Sequence, residues 1–495
     1  MKKQIYNLLD KKSKSLCDIL DQLILSQGYT TINSIGIKLC LNNRSIQRYI
    51  HELEGVVFQF NRENNSNIKL DYTKFVGVKI NFLDYSPEIL KQYILEKDLT
   101  VNIFLDLIYE KFNSVQSYSQ KKYIPENLIR NCLKKINEFT LNFDVKLNIR
   151  SFNLEGDEFN IRLCLFMFFW NLYSTSSWPF VFIDKNKVFK SVEEFAREAG
   201  ITFPPINKIQ FAYFIAINNL RANKHHNIKK IVQWDKYVSL KEVKKNFFFK
   251  TGTQSYINLS EDELYIFLLI IQMKIKFYDS EHLSSRIFTF HKKTNSDILA
   301  FTNICINEFQ SIFFDIPNNK KEFVFNYMFS AIIYSKILKN IHVDIEGVSF
   351  EESFRYHRKL IKKIHLFLDN LYKITNDSIF LNKNFFTLKF YMLISFFKDT
   401  TDYEEPINIV ISSDLPLLIR ENLKKTLYRR FSSKFHLVVL NEIDNSIEAN
   451  LILTNFRLMY SNENICPIDY PLTEYNMKVI ENKLLGIHDE KTKNM

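Results

Sequence analysis

Glycine and proline are scarce in this chain, with nine and ten residues respectively among 495. Tight turns and strand-rich folds consume both types. Glycine supplies positive-φ backbone and proline presets turns. The chain also holds 46 Phe and 25 Tyr. Few breakers and much apolar bulk predict long packed helices, hence a mainly α protein. At about 100–200 residues per domain, a chain of this length divides into several domains.

The formal charge is +11, which favours a polyanionic partner such as nucleic acid. An AT-rich coding bias would give the same surplus of Lys, so charge supports a motif without replacing one. Cys17, Cys40, Cys132, Cys164, Cys305 and Cys466 stand far apart. No Cys-x-x-Cys pair suggests zinc, so reduced thiols of a cytoplasmic protein are expected. The basic start MKKQIYNLLDKKSKS lacks the apolar stretch of a signal peptide. The longest apolar runs, Leu163–Trp170 and Leu264–Ile271, fall short of the ~20 residues that span a bilayer. No membrane contact is expected. No glycine-rich phosphate loop, metal cluster or catalytic triad is visible, so neither cofactor nor enzymatic activity is expected.

Texture divides the chain into five stretches. Residues 1–80 read as three helices followed by a β ribbon, and 87–158 repeat that order more weakly. Residues 159–282 and 283–400 are helical and rich in Phe and Ile. Residues 404–492 alternate strands and helices.

The sharpest motif is Ile35–Leu53. Ile35 and Leu39 share one helix face, Leu41 follows a short turn, and Asn42 is a helix N-cap. Ile46, Ile50 and Leu53 then give the second helix a buried stripe. Its other face carries Asn43, Arg44, Ser45, Gln47, Arg48 and His51. These hydrogen-bonding and cationic groups lie near a helix start, where a recognition helix meets base edges and phosphates. Gly36 is small where the helices approach. Cys40 occupies the turn position where glycine is common. Phe58–Ile80 reads as a wing, with Asn61–Asn67 as its polar turn, and Arg62, Lys69 and Lys74 reach phosphate. The pattern predicts a helix-turn-helix that binds double-stranded promoter DNA.

Ile124, Ile129, Leu133 and Ile136 reproduce the spacing of Leu41, Ile46, Ile50 and Leu53. Pro125 stands in for Asn42 and can open a helix. Arg130, Lys134 and Lys135 supply charge. Val145–Ile149 and Phe152–Phe159, joined around Gly156, read as a second wing. The preceding helix, 113–122, lacks a clean apolar pair. A structural winged helix and a second reader of DNA both fit this copy.

The order of these parts resembles the Mga/AtxA family of Gram-positive regulators over nearly the whole chain. The resemblance rests on Ile35–Leu53, on the stretch Leu154–Arg162 running into the aromatic helix Phe166–Trp170 and Trp178-Pro179-Phe180, and on the C-terminal α/β segment. It implies two winged helix-turn-helix domains (1–80 and 87–158). It also implies two sugar-phosphotransferase regulation domains, or PRDs (159–282 and 283–400), and a module like phosphotransferase enzyme IIB (404–492). It implies transcriptional control, often of virulence genes, as a homodimer, with phosphocarrier proteins and RNA polymerase as further partners. A PRD histidine accepts phosphate at an exposed imidazole nitrogen. His225 and His226, in the segment Leu220–His226, are the candidates in the first PRD. His342, His357 and His365 are those in the second. In active enzyme IIB modules a cysteine follows the first strand. Here Ser412 and Ser413 stand after Ile407–Ile411, so an interaction module is expected. A sugar-operon regulator answering to the phosphorelay, and an RNA-binding antiterminator sharing PRDs, are the rival readings. The paired winged helices argue against the second.

Overall fold

The structure, a computed structural model, describes residues 2–26, 28–83, 85–173, 177–199, 201–229, 231–238, 261–338, 351–440, 449–456 and 464–493. The described residues are mainly helical, as the shortage of breakers predicts. Residue contacts divide the described residues into two compact units, one up to Ser296 and one from Asp297 onward. The helix Glu281–Lys293 packs with the first unit, so the break falls after it and not at the expected 282/283 border.

The first unit starts with α1 (Lys2–Leu8), α2 (Lys11–Ser26), α3 (Ile32–Leu39) and α4 (Asn43–Asn64), then the antiparallel hairpin β1 (Lys69–Thr73) and β2 (Gly77–Asn81). Four helices therefore precede the ribbon where three were expected, because Leu9-Asp10 interrupts the first. The Asp10 carboxylate accepts from the Ser13 amide, starting α2 afresh. Ile35, Ile46, Ile50 and Leu53 are fully buried with Ile19 and Leu20 of α2.

The expected wing needs correction. Asn61–Asn64 is the last turn of α4, not a loop, because the buried stripe continues through Val57 and Phe60. Arg62 therefore sits on the helix. Asn65 takes the left-handed C-cap (φ 51°). The Asn61 side chain donates to the Ile68 carbonyl at 2.8 Å and accepts from its amide at 3.1 Å. A run of asparagines thus ends a helix by capping it. The wing tip is Lys74-Phe75-Val76, between β1 and β2.

Next come α5 (Pro87–Glu96), α6 (Leu99–Ile108), α7 (Val115–Lys122), α8 (Glu126–Leu141), and a two-residue pairing of β3 (Lys146–Leu147) with β4 (Leu154–Glu155). Gly156 follows β4 and does not join the strands. Its φ is 151°, and a Cβ there would sit 2.9 Å from the Asp144 carbonyl. The connecting turn is 148–153, where the Asn148 carboxamide oxygen accepts from the Arg150 and Ser151 amides. Phe159 belongs to the following helix.

The caps and turns of the two helix-turn-helix copies correspond at an offset of 83 positions. Thr31 and Ser114 cap α3 and α7. Cys40 and Tyr123 take left-handed turns (φ 53° and 55°). Leu41 and Ile124 donate back to the carbonyls of Gly36 (2.9 Å) and Ser119 (3.2 Å). Val115 and Tyr118 are both buried in α7, so the apolar pair absent from the sequence reading is present, half of it aromatic. The copies also share a core, since α1 packs on α8 and α2 on α5. Asp98 caps α6 and accepts from the Asp10 amide at 2.9 Å.

The rest of this unit is α9 (Glu158–Tyr173), α10 (Lys185–Ala199), α11 (Pro205–Ala222), α12 (Glu261–Gln272) and α13 (Glu281–Lys293). The second unit contains α14 (Asp297–Ile312), α15 (Lys321–Ile337), α16 (Glu351–Tyr356), α17 (Arg358–Thr375) and α18 (Lys383–Phe397). Phe309, Phe367, Phe386 and Phe390 fill their core. Then follow β5 (Ile407–Ser412), α19 (Leu417–Phe431), β6 (Leu437–Leu440), β7 (Leu451–Thr454), β8 (Ile465–Pro467) and α20 (Glu474–Lys493). The strands form one parallel sheet in the order β6-β5-β7-β8. Leu423, Leu427 and Phe431 of α19 and Ile480 and Leu484 of α20 are buried against it, as a parallel sheet requires. Cys466 is buried in this core.

Candidate nucleic-acid interface

The first copy presents its polar face intact. Asn42 caps α4, its carboxamide oxygen accepting from the Ser45 amide at 2.8 Å. Ser45 is half-buried behind that cap, while Asn43, Arg44, Gln47, Arg48 and His51 are exposed. Arg44 has no ion-pair partner among the described residues. Arg48 lies over the Tyr49 ring (4.8 Å) and only loosely near Glu52 (3.9 Å). His51 Nδ1 is 3.0 Å from a Glu54 oxygen, and its ring meets Tyr72 of β1 edge-on at 5.9 Å. That contact ties the wing to the helix. Cys40 fits the turn because α3 ends with bonds from residues 40 and 41 back to residues 37 and 36, which demand a left-handed residue between the helices. Gly36 is required beside it, since a Cβ would meet the Leu41 carbonyl at 2.7 Å.

Lys69 is exposed on β1 and Lys74 at the tip. Arg62 is exposed about five turns along α4 from Arg44. The His51–Tyr72 contact joins the wing to α4, and Arg62 lies far along the helix from Arg44 and Arg48.

The second copy is differently charged. Arg130 and Lys134 are exposed on α8, but each faces an acid one turn away, Glu126 at 3.1 Å and Glu138 at 4.0 Å. Lys135 is half-buried and donates to the Leu9 carbonyl at 2.6 Å. Pro125 at the N-cap makes no side-chain bond. Tyr123 and Lys122 remain exposed.

The histidines separate clearly. His225 is exposed, with φ 63° in the turn after α11. His226 is half-buried, its Nε2 2.9 Å from Glu110. Burial pushes the Glu110 carboxyl up, but His226 and the neighbouring Lys224 outweigh it and hold it below the usual range. His365 is half-buried; burial and Lys383 both lower its pKa. His357 is buried, with Nδ1 2.7 Å from the Tyr391 hydroxyl, and burial pushes its pKa down to about 4. It stays neutral and inaccessible. His342 lies outside the described residues. Ser413 Oγ accepts from the Leu415 amide, and Asp414 is engaged by Asn455.

One cluster escaped the sequence reading. The Arg162 side chain is 3% exposed, as is that of Glu263. Arg162 donates to Glu158 (3.1 Å), Asn218 (3.1 Å), the His226 carbonyl (3.0 Å) and Glu263 (2.8 Å). Arg221 grips Glu158 with two bonds of 2.9 and 2.8 Å. The basic segment 220–226 is therefore anchored from inside. Glu158 and Arg162, four apart in an otherwise apolar helix, were the available signal.

Residues 84–169 match the Mga helix-turn-helix domain. The match runs from α5 through most of α9 and so includes the second copy, α7 and α8, but not the motif at 35–53. Over 334 residues the chain is 22% identical to the capsule synthesis positive regulator AcpA of Bacillus anthracis, covering 64% of this chain and 65% of that protein. Over 251 residues it is 23% identical to the capsule synthesis positive regulator AcpB of the same organism, covering 51% and 48%. The chain is thus similar to these two regulators over part of its length and to the Mga helix-turn-helix domain at residues 84–169. The alignments span less than two thirds of either relative. Among the described residues no helix is long and apolar enough to cross a membrane.

Proposed function

We propose that this chain is a cytoplasmic transcription activator that grips promoter DNA with the N-terminal turns of α4 and with the β1–β2 wing. The observation carrying this reading is the unpaired Arg44 beside Asn43, Gln47 and Arg48, on the open face of a capped helix whose other face is buried. A planar guanidinium offers two parallel donors to guanine or phosphate. AcpA and AcpB are positive regulators of capsule synthesis, which supports activation of virulence-type genes. Arg130 and Lys134 make α8 a second, weaker contact, since their acidic neighbours offset them.

The same reading makes residues 159–282 and 283–400 PRD-like domains, 404–492 an enzyme IIB-like interaction module, and the working form a homodimer that engages RNA polymerase. His225 is the phosphate acceptor we favour, because His226 is held by Glu110. Incubation with phosphoenolpyruvate and phosphocarrier proteins should label wild type and not His225→Ala; labelling of both would reject the assignment.

The central test is a mobility shift with promoter fragments over a salt series. Arg44→Ala with Arg48→Ala should weaken binding at least tenfold. It should also lower the slope of log affinity against log salt by about 2, one per lost phosphate contact. Unchanged affinity in the doubly substituted protein would remove α4 from the interface.

A further inference from the structure

The wing ends in a side chain that nothing among the described residues covers. Phe75 is 94% exposed, more than any other large apolar residue described. Its φ is 73°, in a region that glycine and asparagine occupy easily and bulky residues seldom do. The turn is tight, the Val76 amide donating to the Thr73 carbonyl at 3.1 Å. A sequence selected only to close this hairpin would place glycine or asparagine here. A ring standing in water on strained backbone points instead to an outside partner.

The base of the wing is rigid. Thr30 and Val78 exchange two backbone hydrogen bonds of 2.9 Å. Gly77 (φ 121°) lets them close, since a Cβ there would sit 2.4 Å from the Thr30 carbonyl. Val78 is fully buried, and Tyr72 rests edge-on against His51. The tip is therefore a stiff arm fixed to α4. Five strand residues at about 3.3 Å each reach roughly 17 Å. That spans from a helix in the major groove across one phosphate ridge to the adjoining minor groove. Lys74 Nζ lies 5.4 Å from the Phe75 ring centre, so a cation suited to that ridge travels with the ring.

We propose that Phe75 is a wedge that enters the minor groove beside the site held by α4, partly unstacks one base step and bends the duplex. Apolar wedges of this kind work by opening a step and kinking DNA toward the major groove. Pyrimidine–purine steps open most easily, so the ring selects sequence by deformability and not by hydrogen bonding. The proposal rests on the DNA-binding reading given above.

The test uses the full chain and a 40-base-pair duplex selected by it from a random pool. Adenines flanking the protected site are replaced one at a time by 2-aminopurine, whose fluorescence rises on unstacking. Bending is read from circularly permuted fragments. Wild type should brighten one flanking position several-fold and bend the duplex. Phe75→Asn keeps a residue that accepts the left-handed turn but removes the wedge. It should lose the brightening and the bend and bind about tenfold more weakly, with the salt slope unchanged because Lys69 and Lys74 remain. Phe75→Leu should keep most of both signals. If Phe75→Asn brightens and bends the duplex as wild type does, the wedge is refuted. A changed oligomer mass with unchanged DNA signals would assign the ring to a protein face and refute it equally. If wild type selects no duplex, the DNA-binding reading falls with it.

Discussion

Replacing Arg162 with Met should destabilise the first unit severely without touching its surface. Arg162 is almost completely enclosed and donates to two carboxylates, an amide and a backbone carbonyl. Methionine fills similar volume but donates nothing. Glu158 keeps Arg221, whereas Glu263 loses the 2.8 Å hydrogen bond from Arg162 at a site 3% exposed. Breaking a buried pair from one side costs about 3–5 kcal/mol, chiefly because a charge is left uncompensated. All three tryptophans, Trp170, Trp178 and Trp234, lie in the same helical region, so their fluorescence reports its unfolding. With a urea m-value of about 2 kcal/mol/M, the midpoint should fall by roughly 2 M. Glu263→Met added to Arg162→Met should recover part of the loss, since the buried carboxylate that Arg162 balances disappears with it. A midpoint shift below about 0.5 M for Arg162→Met, at an m-value near 2 kcal/mol/M, would show that the cluster is not a buried anchor. No recovery in the double variant would show that the buried Glu263 carboxylate is not the cause.

Two further outcomes follow from local geometry. Cys40→Gly should stabilise the first helix-turn-helix by about 1 kcal/mol, because a left-handed residue with a Cβ is strained; amide exchange across residues 35–41 should slow, and faster exchange would contradict the assigned turn. The second unit should lose stability as pH falls from 6.5 towards 4. His357 is held neutral in the folded chain, with a pKa near 4 against 6.5 unfolded, so only the unfolded state takes up a proton in that window. The loss is on the order of 2 kcal/mol. His488, whose pKa is also lowered by burial, lies close enough to add to it, with Asp399 and Arg358 as the other nearby charges. His357→Phe should flatten the pH dependence of hydrogen exchange in α17, and an unchanged profile would count against the buried histidine as its source.

Local chemistry made the helix-turn-helix legible. Asn42 and the spacing Ile46–Ile50–Leu53 act within a few residues of themselves, so cap and stripe could be read directly, as could the parallel strand Ile407–Ile411. The end of α4 was not, because an asparagine run is compatible with both a loop and a helix cap, and only the burial of Val57 and Phe60 decides. Cys40 and Tyr123 show the same limit. Their side chains give no hint of left-handed backbone; the turn imposes it because two helices must close on Gly36 and Ser119.

The sequence by itself determined the spacing of the helix-turn-helix and which face of α4 is polar, because periodicity and capping are short-range effects. Only the tertiary structure decided which charges are free to act. Arg44 is exposed and unpaired, Lys135 is bound to a distant carbonyl, and Arg162 and Arg221 are enclosed with acids. Composition counts these five-donor and three-donor side chains alike as positive charge. Their desolvation and their partners come from residues far away in the chain, and those contacts exist only once the helices have packed.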